Sequence, residues 1–231
     1  NKPDAVALME EKVAPYDNIR VVAAKTQYPE GAEKMLIKKV MGRQVPSGKL
    51  PADVGCVVSN TSTAKAISDA IQKGMPLVER AVSVTGDFIR NPGNYMVKLG
   101  TNVQEIIDHC GGITGDDVVL KMGGPMMGAP LKDTNVPIIK GSNGVIAIAA
   151  DHTEEKECIK CGRCVDVCPM ELQPLEIYKY GQLGDAEKLL TLNVMDCFSC
   201  KCCEYICSSK IPLVSKINAA KGLVMPLLKK K

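Results

Sequence analysis

The chain has 231 residues, of which 45% are hydrophobic and 24% charged, so it can bury a core in one large domain or in two to three small ones. A net charge of +3, no Trp, two Phe and six Tyr offer little positive charge or aromatic surface for nucleic acid, which we exclude as a partner. We also expect no transmembrane segment, because no uninterrupted apolar run reaches about 18 residues.

The first 80 residues predict alternating strands and helices. Residues 18–25 (NIRVVAAK) favour a short strand, and after YPEG the apolar residues recur at helical spacing until Gly42. Residues 56–60 (CVVSN) favour a second strand, followed by a helix that Thr61 or Ser62 caps and Gly74 ends. This alternation indicates an α/β layer.

The next segments predict a different architecture. Residues 81–132 contain two strands, a helix and a third strand, an order and size that suit a small β-grasp domain. Residues 138–150 (IIKGSNGVIAIAA) favour a hairpin turned by SNG, and we assign 133–152 as a β-hairpin connection. Residues 153–231 predict a mainly helical domain, and the whole chain a multidomain α+β protein.

Eight of the eleven cysteines form two copies of the motif C-x2-C-x2-C-x3-C. The copies are separated by residues 169–196, and a proline follows only the first copy. The motif cysteines are Cys158, Cys161, Cys164, Cys168, Cys197, Cys200, Cys203 and Cys207. Clustered thiols with no signal peptide indicate metal or redox chemistry in a reducing compartment.

This spacing predicts two [4Fe-4S] clusters that exchange ligands. Three cysteines two residues apart wrap three corners of one cubane, and the fourth reaches the other cluster. Cys207 therefore joins Cys158, Cys161 and Cys164, whereas Cys168 joins the other three. Clusters at this spacing relay single electrons.

Zinc is the alternative occupant, since paired C-x2-C units also build zinc ribbons; it leaves the regular third and fourth cysteines unexplained. Such a chain would be a non-enzymatic, zinc-stabilised interaction module. Cys202 breaks the motif and is expected to be a buried spare thiol, while Cys56 and Cys110 are expected to be small core residues.

Four stretches together resemble the C subunit of the Rnf complex, a bacterial ion-translocating ferredoxin:NAD+ oxidoreductase. They are CIKCGRCVDVCPMELQP, MDCFSCKCCEYICSSKIPLV, KMGGPMMGAPL at 121–131 and TQYPEGAEKMLIKKVMGRQVPSGKLPADVG at 26–55. The resemblance covers nearly the whole chain and corresponds to the C-terminal portion of that protein.

The resemblance implies that residues 1–80 are the C-terminal part of an FMN- and NADH-binding α/β domain, similar to the flavoprotein subunit of respiratory complex I. It also implies that 81–132 are a soluble-ligand-binding β-grasp (SLBB) domain and 153–231 a ferredoxin-type domain. The family's glycine-rich nucleotide loop is not found in this sequence. Candidate FMN neighbours carried over from the family are Tyr28, Gly31, Glu33, Ser59, Asn60 and Thr61. A glycine at a turn and capping Asn, Ser and Thr residues suit flavin contacts, but they equally suit ordinary helix caps.

The function implied is electron transfer between NADH, FMN and a membrane-bound redox partner through two [4Fe-4S] clusters. The implied partners are other subunits of a membrane redox complex, with the chain peripheral on the cytoplasmic face of the cell membrane. By itself the chain is expected not to oxidise NADH. A flavoprotein cobalamin reductase of microcompartments shares this domain order and is the alternative enzyme.

Overall fold

The computed structural model describes residues 2–229 and shows a mixed α+β chain built around one five-stranded sheet. The α+β class predicted from the sequence is confirmed at this level. The helices are α1 Pro3–Val13, α2 Glu33–Met41, α3 Thr61–Lys73, α4 Val103–His109, α5 Arg163–Asp166, α6 Pro174–Leu183, α7 Ala186–Thr191, α8 Cys202–Tyr205 and α9 Leu213–Leu228. The strands are β1 Glu79–Thr85, β2 Gly93–Lys98, β3 Val118–Met122, β4 Ala129–Pro130 and β5 Gly144–Ala149. Short 3₁₀ turns occupy Pro51–Val54 and Val194–Asp196.

Residues 2–78 form helices but no strand, so the strands predicted at 18–25 and 56–60 are wrong. Neither segment pairs with a strand of the sheet, so both remain irregular. Helices α2 and α3 end as predicted, because Gly42 and Gly74 adopt the left-handed conformation that closes a helix. The cap of α3 is Asn60, whose side chain accepts a hydrogen bond from the Ser62 amide at 2.9 Å.

The sheet has the strand order β2-β1-β5-β3-β4. Strand β1 alternates exposed and buried residues, which places Val82 and Val84 on the face that packs against the core. Helix α4 covers that face with Ile106 and Ile107. The resulting core lies between one helix and one face of the sheet.

The hairpin predicted at 138–150 is wrong, and β5 is a central strand instead. It runs parallel to β1, where Val84 pairs with Val145, and antiparallel to β3, where Leu120 pairs with Ala147. The apolar run GVIAIA suits a strand with neighbours on both sides, and its pairing partners lie far away in the chain.

Helices α6, α7 and α9 enclose a second core after residue 153. The fully buried Ile177, Leu189 and Ile217 lie at its centre, one from each helix. Helices α6 and α9 approach closely, since a Cβ at Gly181 would lie 3.2 Å from the Ala220 Cβ. None of the helices described between residues 2 and 229 is long and apolar enough to cross a membrane.

Candidate metal and cofactor site

The two cysteine motifs fold into loops with the same backbone conformation. In the first, Lys160 (φ 55°) and Gly162 (φ 78°) are left-handed; in the second, Ser199 (φ 60°) and Lys201 (φ 66°) take the corresponding places. The short helix after each loop, α5 or α8, begins directly after the second of these residues. The left-handed steps turn the chain tightly, so the first three cysteines of each motif line the same cavity.

An N–H group points at a sulfur in each loop. The Lys160 amide donates to Cys158 Sγ at 3.4 Å, and the Ser199 amide donates to Cys197 Sγ at 3.4 Å. Such N–H···S bonds stabilise negative charge on thiolate ligands and help to set the reduction potential of a cluster.

The fourth cysteine of each motif turns away from its own loop. After Cys168 the chain reverses through Glu171 (φ 56°), whose amide donates to the Cys168 carbonyl at 3.1 Å. The second motif repeats this at Lys210 (φ 53°), whose amide donates to the Cys207 carbonyl at 3.2 Å.

Two cavities result, and each gathers three cysteines of one motif and the fourth cysteine of the other. Cys158, Cys161, Cys164 and Cys207 line the first cavity, together with Leu175, Ile211 and Leu213. Cys168, Cys197, Cys200 and Cys203 line the second, together with Leu172, Val214 and Ile217. We call them the first and the second cavity.

The donor set and the walls of both cavities fit a [4Fe-4S] cluster. Each cavity offers four thiols around its wall, as a cubane with one ligand at each iron corner requires. Across residues 2–229, no three Cys, His, Asp or Glu side chains converge closely enough to hold a single metal ion. Aliphatic side chains lie between the thiols in the walls of both cavities.

Burial acts strongly on the thiols of the second cavity. It raises the pKa of Cys203 to about 12, and the neighbouring thiols of Cys197 and Cys200 add to the effect. Burial also raises the pKa of Cys168. Because these thiols must lose protons to bind iron, cluster assembly releases protons.

Cys202 is buried but lines neither cavity. Burial, and then hydrogen bonding with Cys200, raises its pKa to about 12, which keeps the thiol neutral. Cys110 lies fully buried in the sheet core, whereas Cys56 is half-buried.

A third cavity, of about 700 Å³, lies between the 26–34 segment and the second cysteine loop. Three of the candidate flavin neighbours, Tyr28, Gly31 and Glu33, line it from one side. Cys197 and Phe198 line it from the other. Its volume lies within the range of about 300–1,000 Å³ that is usual for small-molecule sites. We call it the interdomain cavity.

The hydroxyl of Tyr28 links the two sides of this cavity. It donates a hydrogen bond of 2.7 Å to the Cys200 carbonyl, in the loop of the second motif. Burial raises the pKa of Tyr28 to about 12, and the thiols of Cys200 and Cys202 act in the same direction. The hydroxyl therefore stays protonated near neutral pH and remains a donor.

The remaining candidate flavin neighbours, Ser59, Asn60 and Thr61, are exposed and do not line the interdomain cavity. Asn60 serves as the cap of α3. The structure thus brings together three of the six candidates.

Residues that the sequence did not single out complete the cavity. Met127 comes from the GGPMMG loop and Met195 from the turn before the second motif. The loop is tight, because a Cβ at Gly128 would lie 2.4 Å from the Gly124 carbonyl oxygen. Its glycines were a visible signal of a turn, but nothing in the sequence indicated which surface Met127 faces.

Side chains of helix α9 form hydrogen bonds with the second cysteine loop. Lys221 donates to the Cys197 carbonyl, and the Ser199 hydroxyl donates to Asn218 Oδ1 at 3.1 Å. The sheet contributes Lys121, whose pKa is lowered by burial and by the charge of Lys201. The second loop is thus covered from three directions.

The fold and the paired thiol cavities define a dicluster iron–sulfur protein with an adjoining small-molecule cavity. Three family models match in succession: the Nuo51 FMN-binding domain at residues 1–69, the SLBB domain at 81–130 and the 4Fe-4S dicluster domain at 157–211. They support the predicted FMN and iron–sulfur cofactors.

The chain is similar to curated C subunits of ion-translocating oxidoreductases. It is 44% identical to the C subunit of the proton-translocating ferredoxin:NAD(+) oxidoreductase complex of Clostridium ljungdahlii, over 79% of this chain and 40% of that protein. It is 40% identical to the C subunit of the Na(+)-translocating ferredoxin:NAD(+) oxidoreductase complex of Acetobacterium woodii, over 96% of this chain and 51% of that protein. It is 43% identical to the C subunit of the ion-translocating oxidoreductase complex of Rhodobacter capsulatus, over 96% of this chain and 44% of that protein.

The chain is therefore a homologue of these C subunits, and the resemblance predicted from the sequence is confirmed. It spans about half the length of the curated relatives that it matches.

Proposed function

We propose that the chain is the electron-conducting part of a C subunit in an ion-translocating ferredoxin:NAD+ oxidoreductase. The observation that carries the proposal is the exchange of the fourth cysteines between two thiol-lined cavities. Two relatives are named as subunits of a proton-translocating and a Na(+)-translocating ferredoxin:NAD(+) oxidoreductase complex, which supports this activity. Other subunits of a membrane complex and NADH are the proposed partners, and the cytoplasmic face of the membrane the proposed location.

The family models and the two separate cores support the proposed domain organisation. Residues 1–80 are the C-terminal part of a flavin domain, 81–132 an SLBB domain of the β-grasp type with a connection at 133–152, and 153–231 a helical ferredoxin-type domain. The core of the sheet extends to Ala147, so β5 completes the sheet that the SLBB domain begins.

We assign the ligands by cavity. Cys158, Cys161, Cys164 and Cys207 hold one cluster, and Cys168, Cys197, Cys200 and Cys203 hold the other. When bound, FMN supplies the exchange between a hydride and single electrons, and the clusters supply one-electron transfer. The aliphatic walls reduce the contact of water with the buried thiolates of the second cavity, and the N–H···S bonds stabilise the charge on Cys158 and Cys197.

The flavin is placed in the interdomain cavity, where Tyr28, Gly31 and Glu33 form one wall. Ser59, Asn60 and Thr61 remain candidate neighbours through the resemblance alone. The second cluster is the one beside this cavity, because Cys197 lines both of them. Tyr28 holds the flavin wall against the loop of that cluster.

Iron and acid-labile sulfide analysis with EPR, on anaerobically prepared chain, tests the cluster assignment. We expect about eight irons and eight sulfides per chain, from two four-iron clusters. Two zinc ions per chain without sulfide would overturn the proposal.

A separate measurement addresses the flavin. Residues 2–78 bury only Ile37 and Val45 and supply one wall of the interdomain cavity, so we expect no NADH oxidation by the chain alone. Stoichiometric FMN binding with NADH-dependent reduction of this chain would contradict that expectation.

A further inference from the structure

The two thiol-lined cavities differ in their exposure to solvent. Cys161, in the wall of the first cavity, is exposed. At the corresponding position of the second cavity, Cys200 is only 9% exposed, and Cys203 in the same wall is 7% exposed. Water therefore reaches the thiols of the first cavity directly, whereas protein covers most of the second.

This difference affects what reduction of each cluster costs. A cluster held by the thiolates of one cavity is an anion, and one-electron reduction adds a further negative charge to it. Water stabilises that charge at an exposed site, but a buried charge needs a counter-charge from the protein. The covered second cavity therefore depends on nearby cationic side chains more than the first cavity does.

Three lysines from three different elements surround the second cysteine loop. Lys201 belongs to the loop and lines the second cavity. Lys221, on α9, donates a hydrogen bond to the carbonyl of Cys197. Lys121, on β3, lies close enough to Lys201 for the two charges to act on each other. All three lysines are half-buried, so salt screens their charges less than it screens charges on the open surface.

Acidic side chains offset only part of this positive charge. Glu204 Oε1 lies 3.7 Å from Lys201 Nζ, and the remaining carboxylate in the second motif region is that of Asp196. Strand β3 and helix α9 carry no acidic residue. Across residues 2–229, neither Lys121 nor Lys221 forms an ion pair. Three lysines thus face two carboxylates, which leaves net positive charge beside the second cavity.

The surroundings of the first loop have the opposite balance. Residues 151–166 carry more acidic than basic side chains, and their basic residues Lys156, Lys160 and Arg163 are all exposed. Exposed charges contribute little to a nearby potential, because water and salt screen them. The half-buried lysines are therefore specific to the second cavity.

We propose that Lys121, Lys201 and Lys221 compensate the negative charge that reduction adds to the second cluster and thereby raise its reduction potential. This rests on the proposed function, because the lysines act on a potential only if the second cavity holds a cluster. Each of them acts through its charge, and none is a ligand in the proposed assignment.

A potentiometric titration of the cluster-loaded chain, monitored by EPR, tests the inference. The variant Cys161→Ser removes a proposed ligand of the first cluster, so the signal that persists in it belongs to the second. Lys221→Met should lower the equilibrium constant for reducing the second cluster by about threefold or more. At about 59 mV per tenfold, this is a potential about 28 mV lower. Lys221→Arg keeps the charge and should stay close to the parent.

Lys121→Met separates the effect of charge from the effect of a hydrogen bond to the loop. Lys121 donates to the Pro125 carbonyl at 3.1 Å, outside the cysteine loop, so its replacement removes charge and leaves the bond between Lys221 and Cys197 in place. We expect a shift in the same direction as in Lys221→Met. The matched control is Lys98→Met, which changes net charge equally at an exposed position of β2 and should leave both potentials unchanged.

The outcomes separate this inference from the proposed function. A full iron count with unshifted potentials in Lys121→Met and Lys221→Met, or an equal shift in Lys98→Met, overturns the role of the lysines alone. If Lys221→Met loses iron, Lys121→Met decides: a lowered potential of the second cluster supports the inference, and an unchanged one overturns it. A parent chain without clusters overturns the proposed function and the inference together.

Discussion

The hydroxyl of Tyr28 donates a hydrogen bond of 2.7 Å to the backbone carbonyl of Cys200, 172 residues later in the chain. It joins the segment that resembles a flavin-binding loop to a loop that carries three proposed cluster ligands. The tie fixes the wall of the interdomain cavity against the second cavity. The two proposed cofactor sites are thus joined by a side chain that is neither a proposed metal ligand nor a charged group.

Replacing Tyr28 by Phe should loosen this tie without opening a hole, because the ring remains. We expect the contact between the 26–34 segment and the second loop to weaken by about 1 kcal/mol, the usual net value of one hydrogen bond. Amide hydrogen exchange should then be faster in both segments. Tyr205→Phe is the matched control, since that side chain is 76% exposed. Equal exchange in the two variants would show that the Tyr28 hydroxyl stabilises nothing.

Gly86, directly after β1, permits a close approach to β5. Its φ is 111°, and a Cβ there would lie 2.0 Å from the Ala147 carbonyl oxygen. Gly86→Ala should lower the free energy of unfolding by at least about 2 kcal/mol, because the backbone of the central strand must shift. Gly141→Ala, at a position with no atom within 4 Å of the added Cβ, should be close to neutral. Chemical denaturation of both variants measures the difference, and similar midpoints would contradict the role of Gly86.

Local patterns in the sequence predicted the local structure well. Helix α2 ends at Gly42 and α3 at Gly74, as their glycines indicated. The ligand exchange inferred from the cysteine spacing stays a prediction, and the lining of the two cavities agrees with it. These features depend on neighbours within a few residues or on a fixed spacing.

Features that depend on distant partners could not be predicted. The run at 18–25 has the composition of a strand, but an isolated run forms no strand without another one to pair with. The run in β5 does find partners, and they are β1 and β3 rather than a neighbouring hairpin strand. Lys201 adopts the left-handed conformation at the position that Gly162 occupies in the first motif. The residue type did not indicate this conformation, and the repeated geometry of the loop accounts for it.

Removing the iron should unfold one part of the chain and spare the other. The helical core contacts the thiols directly, since Cys203 belongs to it and Cys158 and Cys207 pack against it. The sheet core contains none of the motif cysteines. Under an iron chelator and reductant we therefore expect loss of amide protection in α6, α7 and α9, with β1 and β5 still protected. Simultaneous loss of protection in the sheet would indicate a single cooperative unit instead.

Cys202 and Cys207 lie five residues apart, yet only Cys207 lines a cavity, and it is the cavity of the other motif. Cys207→Ser should therefore disrupt the cluster whose remaining ligands are Cys158, Cys161 and Cys164, and leave the second cluster loaded. Cys202→Ala should keep about eight irons per chain, because this thiol has no iron to bind.

Iron and sulfide counts with EPR on the two variants provide the measurement. The Cys207→Ser variant should lose about half of its iron together with one of two cluster signals, and the lost ligation should also lower the stability of the helical core. The matched Cys202→Ala variant controls for the removal of a thiol from the same short segment. Two intact clusters in the Cys207→Ser variant, or a lost cluster in the Cys202→Ala variant, would mean that the ligands are wrongly assigned.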